Sequence, residues 1–227
     1  MSSLVTGDTH FSANPRDSYR WKFLEETLPT LMEEHGVDRV LILGDLTEIK
    51  DGHPATLVNR LEDGIASLAE RASVYVLKGN HDYRAEDVPF FRFLGHVPRV
   101  RWINEPTELR LRGLGSCLLI PHQSSPDYWG TVRDTPHDWY FCHATFEGTK
   151  TETGHKLSGV PRSVFPKRAR VVSGDIHTPH DWYVGAPYHI DFGDSFSPRV
   201  LLLNGTHKNS IPVPGPQKQL IKMEVSK

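Results

Sequence analysis

Cysteine is nearly missing: the 227 residues contain two, Cys117 and Cys142. Two thiols make no disulfide framework, and their scarcity fits a reduced, cytoplasmic setting. No apolar run approaches the ~20 residues that cross a bilayer, so a membrane span is not expected. Met1-Ser2-Ser3-Leu4-Val5 has neither the charged start nor the long apolar stretch of a secretory signal. Charge of one sign is lacking too, with 26 basic against 28 acidic residues and a net charge of −2. The chain as a whole is therefore no electrostatic glue for nucleic acid, which leaves only a local patch for that role. Repeats, heptads and low-complexity tracts are absent. The hydrophobic set still makes up 37% of the residues, enough for a sizeable core. What stands out is 13 histidines.

Leu4-Val5-Thr6 is a short apolar run ending in Gly7-Asp8. Asn14-Pro15 opens a helical segment in which Trp21, Leu24, Leu28, Leu31 and Met32 recur at helical spacing; Pro29 kinks or restarts it and Gly36 stops it. Val40 to Leu43 is continuously apolar, as in a strand buried on both faces, and it too ends in Gly-Asp. Leu57, Leu61, Ile65 and Leu68 mark a second amphipathic helix with Pro54 near its start. Val74 to Leu77 is a third strand, ending at Gly79-Asn80-His81-Asp82. This alternation implies right-handed crossovers and a parallel sheet. The second half reads as strand after strand: Cys117 to Ile120, Trp139 to His143, Ala169 to Ser173, Trp182 to Gly185 and Arg199 to Leu203. A last run, Gln219 to Val225, follows Pro212, Pro214 and Pro216. The expected class is mixed α/β in one domain, with parallel and antiparallel strands.

Metal-type ligands stand where these strands end. Asp8 and His10 follow the first, Asp45 the second, Asn80 and His81 the third; His143 ends a later strand, and Asp175 and His177 follow the next. Ligands of open α/β sheets gather outside the carboxyl ends of strands, so residues distant in sequence can converge there. Asp, Asn and His donors suit divalent Mn, Mg, Fe or Zn better than a thiolate-preferring metal. A lone Gly-Asp after a strand is ordinarily a turn and a helix cap. The whole ordered series is not.

Gly7-Asp8-Thr9-His10, Gly44-Asp45, Gly79-Asn80-His81-Asp82, His143 and Gly174-Asp175-Ile176-His177 occur in the order and spacing of the calcineurin-like metallophosphoesterases. The chain resembles that superfamily from residue 7 to about residue 200. Within it, the chain is most similar to the Mre11/SbcD-type nuclease branch and small phage metallophosphoesterases. His143-Ala144-Thr145-Phe146, Thr178-Pro179, Gly185-Ala186-Pro187-Tyr188 and Asp191-Phe192-Gly193-Asp194 carry that narrower likeness. The resemblance implies two packed mixed β-sheets flanked by helices, an αββα sandwich. One departure from that branch is large: a single domain over 1–227 is expected, without the separate DNA-capping domain of the larger nucleases, and so no pairing with an ABC-type ATPase is expected. Asp8, His10 and His177 would hold one metal, Asp45 would bridge, and Asn80 and His143 would hold the second. Asp175 stands where the family carries a His ligand of that second metal. His81 would contact the phosphate as acid or charge stabiliser, with Asp82 orienting its imidazole. Two divalent ions, Mn²⁺ foremost, would hydrolyse a phosphodiester, DNA or RNA included, through a metal-bridging hydroxide.

Other readings stay open beside that one. They are a phosphomonoesterase, a small-molecule or cyclic-nucleotide phosphodiesterase, and a non-catalytic metal-binding scaffold. Arg162, Lys167, Arg168 and Arg170 form a basic run with no acidic residue between positions 159 and 174. It is either a solvated face or a track for a phosphate backbone. Trp129, Trp139 and Trp182 are candidates for base stacking, with core packing favoured for the two in expected strands. His122, His155, His180 and His189 lie near the motifs and read as ordinary surface or hydrogen-bonded histidines. Cys142, one residue before His143 on a strand, points to the opposite face.

Overall fold

Each of the first strands is separated from the next by helical chain, and this lets them lie parallel. In the computed structural model, which describes residues 1–85, 88–134, 136–151 and 154–215, β1 (Ser2–Thr6), β2 (Val37–Ile42), β3 (Ser73–Leu77) and β4 (Val100–Ile103) form that parallel core. A second sheet is made of β5 (Thr107–Leu111), β6 (Gly115–Ile120), β7 (Trp139–His143) and β8 (Arg170–Gly174). There β6, β7 and β8 run parallel and β5 antiparallel. The chain then returns to the first sheet with β9 (Arg199–Asn204) and β10 (His207–Pro212), which gives the order β10-β9-β1-β2-β3-β4. The run Gln219 to Val225 lies outside the described residues.

Period-two alternation divides the apolar strands among three cores. Leu4, Val40, Ile42, Val74 and Val76 face the helices, while Val5, Leu41, Leu43 and Leu77 face the second sheet. Cys117, Leu119, Trp139, Phe141 and Val172 meet them from the other side. Leu118, Ile120, Tyr140, Cys142 and Val171 point outwards, under Trp129, Val132 and Phe165. Both faces of both sheets are therefore covered, as the continuous apolar runs require. Burial pushes the thiols of Cys117 and Cys142 up to about 12, so neither is a ready nucleophile or ligand.

On the outer face of the first sheet lie α1 (Ser18–Lys22), α2 (Leu28–Glu34) and α3 (Ala55–Arg71). Pro29 has no N–H to give the preceding turn, and the chain answers with a wider π turn over Phe23–Thr27, in which Leu28 N–H bonds to Phe23 O. The outer face of the second sheet is covered by a 3₁₀ helix over Pro126–Asp134. Two mixed sheets flanked by helices are thus the architecture. Trp182–Gly185 is no strand but makes an isolated parallel bridge, Ser173 to Tyr183, along the edge of β8. The edge strands β5 and β10 alternate or expose polar residues, and no apolar run announced them.

Candidate metal centre

The carboxyl ends of β1, β2, β3, β7 and β8 meet along one edge, where the two sheets face each other. Backbone bonds stitch the turns together: Asp8 N–H to Gly44 O (3.0 Å) and His10 N–H to Asp45 O (2.9 Å). The carboxylates accept as well, Asp8 Oδ1 from Asp175 N–H and Asp45 Oδ1 from His81 N–H, each at 2.8 Å. Sharp turns are expected of glycine here, but among the flanking glycines only Gly44 takes a positive φ (+90°). Left-handed backbone falls instead on Asp8 (51°), His10 (42°), Asp45 (54°) and Asp175 (83°), four of the five such non-glycine residues among those described. Strain of this kind persists where the surroundings over-determine a site. Gly79 serves by closeness, since a Cβ there would collide with the carboxylate and backbone of Asp45.

Seven sequence-expected ligands converge into two halves around Asp45. In the first half, His10 Nε2 lies 3.6 Å from Asp45 Oδ2 and 3.1 Å from His177 Nε2. Two nitrogens bound to one cation at ~2.1 Å and right angles would stand about 3 Å apart. Asp8, whose Oδ2 is buried with no hydrogen-bond partner, stands between the halves, with a carboxylate oxygen within 4.8 Å of ligand atoms of Asp45 and His143. In the second half, His143 Nε2 lies 2.8 Å from Asn80 Oδ1, 3.4 Å from Asp45 Oδ1 and 3.7 Å from Asp175 Oδ1. His143 Nδ1 donates to Leu43 O at 2.6 Å, which leaves Nε2 to face the group. Asp175 Oδ2 accepts from the Thr145 hydroxyl. Asp45 thus offers one oxygen to each half, as a bridging carboxylate can. An orphaned buried carboxylate oxygen, two facing imidazole nitrogens and an all-N/O donor set fit two divalent cations.

The electrostatics agree. Burial raises Asp8 to about 6 and lowers His10 to about 3, so the latter is neutral and able to bind a metal. Burial works against both ions of the pair Asp45 and His143, yet their attraction prevails. Asp45 is held below the ordinary carboxylate range, and Asp45, Asp175 and Asp8 raise His143 to about 9. Positive charge is favoured at the centre of these carboxylates, and a cation would take the place of that proton.

Asp82 departs from its expected role. Its carboxylate is fully buried and accepts from the N–H groups of Asp45 (3.0 Å), Leu46 (3.0 Å) and Gly79 (2.7 Å). It ties the second turn to the third and does not orient the His81 ring. Burial raises it to about 7 against those donors. The partner of His81 Nδ1 is the carbonyl of Glu48, at 2.9 Å, and the ring lies 4.9 Å from that of His10. Arg20 was missed altogether. Buried in α1, its guanidinium donates to the His10 carbonyl and, at 2.7 Å, to Glu48 Oε2. Only its place beside Trp21 on an apolar helix face could have flagged it.

The basic run does not gather at the centre. Arg170 begins β8, whose other end reaches the centre, so about 16 Å of extended strand, at ~3.3 Å per residue, separates it from Asp175. Its guanidinium lies 5.8 Å over Trp139, and that of Arg162 lies 4.7 Å over Trp182. Lys167 and Arg168 are exposed in the turn that leads into Arg170. Trp129 and Trp139 are buried.

Set beside known proteins, residues 1–190 match the family model described as calcineurin-like phosphoesterase. Over 85 residues, or 37% of this chain, the sequence is 39% identical to UDP-2,3-diacylglucosamine hydrolase of Shewanella pealeana (strain ATCC 700345 / ANG-SQ1). The match spans about a third (34%) of that curated relative's length. Among solved structures, YfcE, a phosphoesterase from E. coli, is similar at a TM-score of 0.47 and 11% identity, over 94% of this chain and 100% of that one. The Pseudomonas putida nuclease MPE is similar at 0.38 and 15%, over 92% and 87%. At these scores neither structure lends its activity to this chain.

Proposed function

The chain belongs to the calcineurin-like phosphoesterase family and is a metal-dependent hydrolase, and on that premise we propose that it cleaves phosphodiesters of nucleotides or nucleic acid with two divalent cations, Mn²⁺ foremost. The observation that carries this reading is Asp45, whose two oxygens serve the two halves of the centre. Asp8, His10 and His177 would hold the first cation with Asp45, and Asn80, His143 and Asp175 the second. Once bound, the pair supplies Lewis acidity to the phosphoryl oxygens and lowers the pKa of water towards neutrality.

The chain's own groups do the rest. His81, fixed through Nδ1 by the Glu48 carbonyl, presents its other nitrogen to give a proton to the leaving oxygen. Diesters are favoured over monoesters, because a terminal dianion asks for cationic side chains. The cavity beside the second half is lined by no Lys or Arg, among the described residues. The UDP-linked substrate in the name of the relative matched over 85 residues favours a second form of the same reading, a small nucleotide-bearing ester rather than a polymer. Bis(p-nitrophenyl) phosphate hydrolysis after exhaustive chelation, with and without added Mn²⁺, tests the proposal. Activity should vanish with the metal and return with it; full activity in the chelated protein would end the two-cation reading.

A further inference from the structure

A cavity of about 410 Å³ opens beside the second half of the centre. Asn80, His143 and Asp175 form its inner wall, so it adjoins the place where a phosphoryl group would be held. The outer walls come from chain that none of the strand-end motifs includes. His122 and Gln123 follow β6, Trp129 belongs to the 3₁₀ helix, and Val160 and Pro161 come from the loop before Arg162. The volume lies within the ~300–1,000 Å³ of small-molecule sites.

Charge and shape narrow what fits. Among the described lining residues none is Lys, Arg or Glu, and the one carboxylate, Asp175, is bonded to Thr145 and belongs to the centre. A second phosphate would find no Lys or Arg there and would face Asp175. A purely apolar group would strip water from the amide of Gln123 without replacing it. Trp129, Val160 and Pro161 offer apolar walls. Gln123 Nε2 donates to Pro121 O at 3.1 Å, which leaves its carbonyl to accept from a ligand. His122 is fixed by a 2.8 Å bond between Nδ1 and the Tyr83 hydroxyl, with its ring 6.1 Å from that of His143.

We propose that this cavity is a specificity pocket for one uncharged nucleoside, so that the substrate class is a nucleotidyl phosphodiester. The inference rests on the phosphodiesterase reading above. The base packs against Trp129, Val160 and Pro161, and Gln123 and His122 meet its polar edge or its sugar.

The test compares p-nitrophenyl thymidine 5′-phosphate with p-nitrophenyl methyl phosphate, two diesters that release the same phenolate. With Mn²⁺, kcat/KM should be on the order of 10²-fold higher for the nucleotidyl ester, because binding of the remote nucleoside is realised in the transition state. Val160→Trp, which fills the cavity, should bring that ratio close to unity; Gln123→Ala should lower it by about tenfold, one hydrogen bond's worth. Saturation-transfer NMR with thymidine alone should give a signal in the parent and none in Val160→Trp, with circular dichroism confirming that the variant is folded. Equal kcat/KM for the two esters in the parent, or an unchanged ratio in Val160→Trp, overturns the pocket. If neither ester is cleaved, the phosphodiesterase reading fails by itself and the NMR result decides the pocket: loss of a parent signal in Val160→Trp upholds it, and no signal in the parent overturns it.

Discussion

The two halves of the centre are built differently. The first is braced from behind by buried bonds: Tyr188 donates to Thr9 O, Arg20 to His10 O, and the Thr9 hydroxyl to Leu46 O at 3.2 Å. Helical chain and the loop after β8 thus clamp the strained 8–10 turn from the side away from the ligands. The second half is backed by Leu43 O behind His143, by Thr145 behind Asp175 and by Asp82, which holds the Gly79 N–H beside Asn80, and it opens on the cavity. A clamped turn stands on one side and an accessible cavity faces it. Asp45 belongs to both. The contrast shows where selection of substrate can act without loosening the ligands of the first cation.

The sharpest way to break this contrast is at its mouth. His81→Ala should leave both cations bound and lower turnover by roughly 10²–10⁴-fold, the usual contribution of a positioned acid. Metal analysis beside kinetics checks it. His81 also lies within ligand reach of His10 and Asp45, so loss of a cation in place of turnover would make it a ligand of the first half.

Bracing comes next. Arg20→Met removes the donor to the buried His10 carbonyl, and an unsatisfied buried acceptor costs about 1–3 kcal/mol. The melting temperature should fall, and Mn²⁺ titration should show one site weakened and the other kept. Equal weakening of both would mean that Arg20 does not act on the first half in particular.

Asp175→His sharpens the same contrast on the other side. It exchanges a carboxylate for an imidazole and should move the second half alone from Mn²⁺ towards Zn²⁺. Competition titrations with the two metals would show it, and a change confined to the tight site would contradict it. The smallest effect is expected at Lys167 and Arg168. Their double alanine variant should change turnover of small diesters less than about twofold, as exposed positions away from a site do.

How legible this was depended on the physical origin of each feature. Buried strands announce themselves, because a strand covered on both faces must be largely apolar, as Val40 to Leu43 and Trp139 to Cys142 are. Ligands at strand ends were legible for a related reason: the fold puts those ends on one edge, whatever the separation in sequence. Edge strands were not, since Thr107–Leu111 and His207–Pro212 satisfy only one face or none. Roles set by backbone partners were equally hidden. Nothing local says that Asp82 turns to three N–H groups or that Glu48 serves His81 through its carbonyl rather than its carboxylate. The basic run stayed open to two readings because proximity in sequence to Asp175 is not proximity in space: Arg170 begins β8 and Asp175 follows its other end.

The central claim is that one carboxylate, Asp45, joins two cations. Electron paramagnetic resonance of the Mn²⁺-loaded protein tests it most directly, with the stoichiometry taken from the same sample. The parent should bind two ions per chain and show the exchange-coupled spectrum of a bridged pair, and Asp45→Ala should lose both the coupling and the hydrolysis. A single ion per chain in the parent, or two that give only uncoupled signals, would contradict the account.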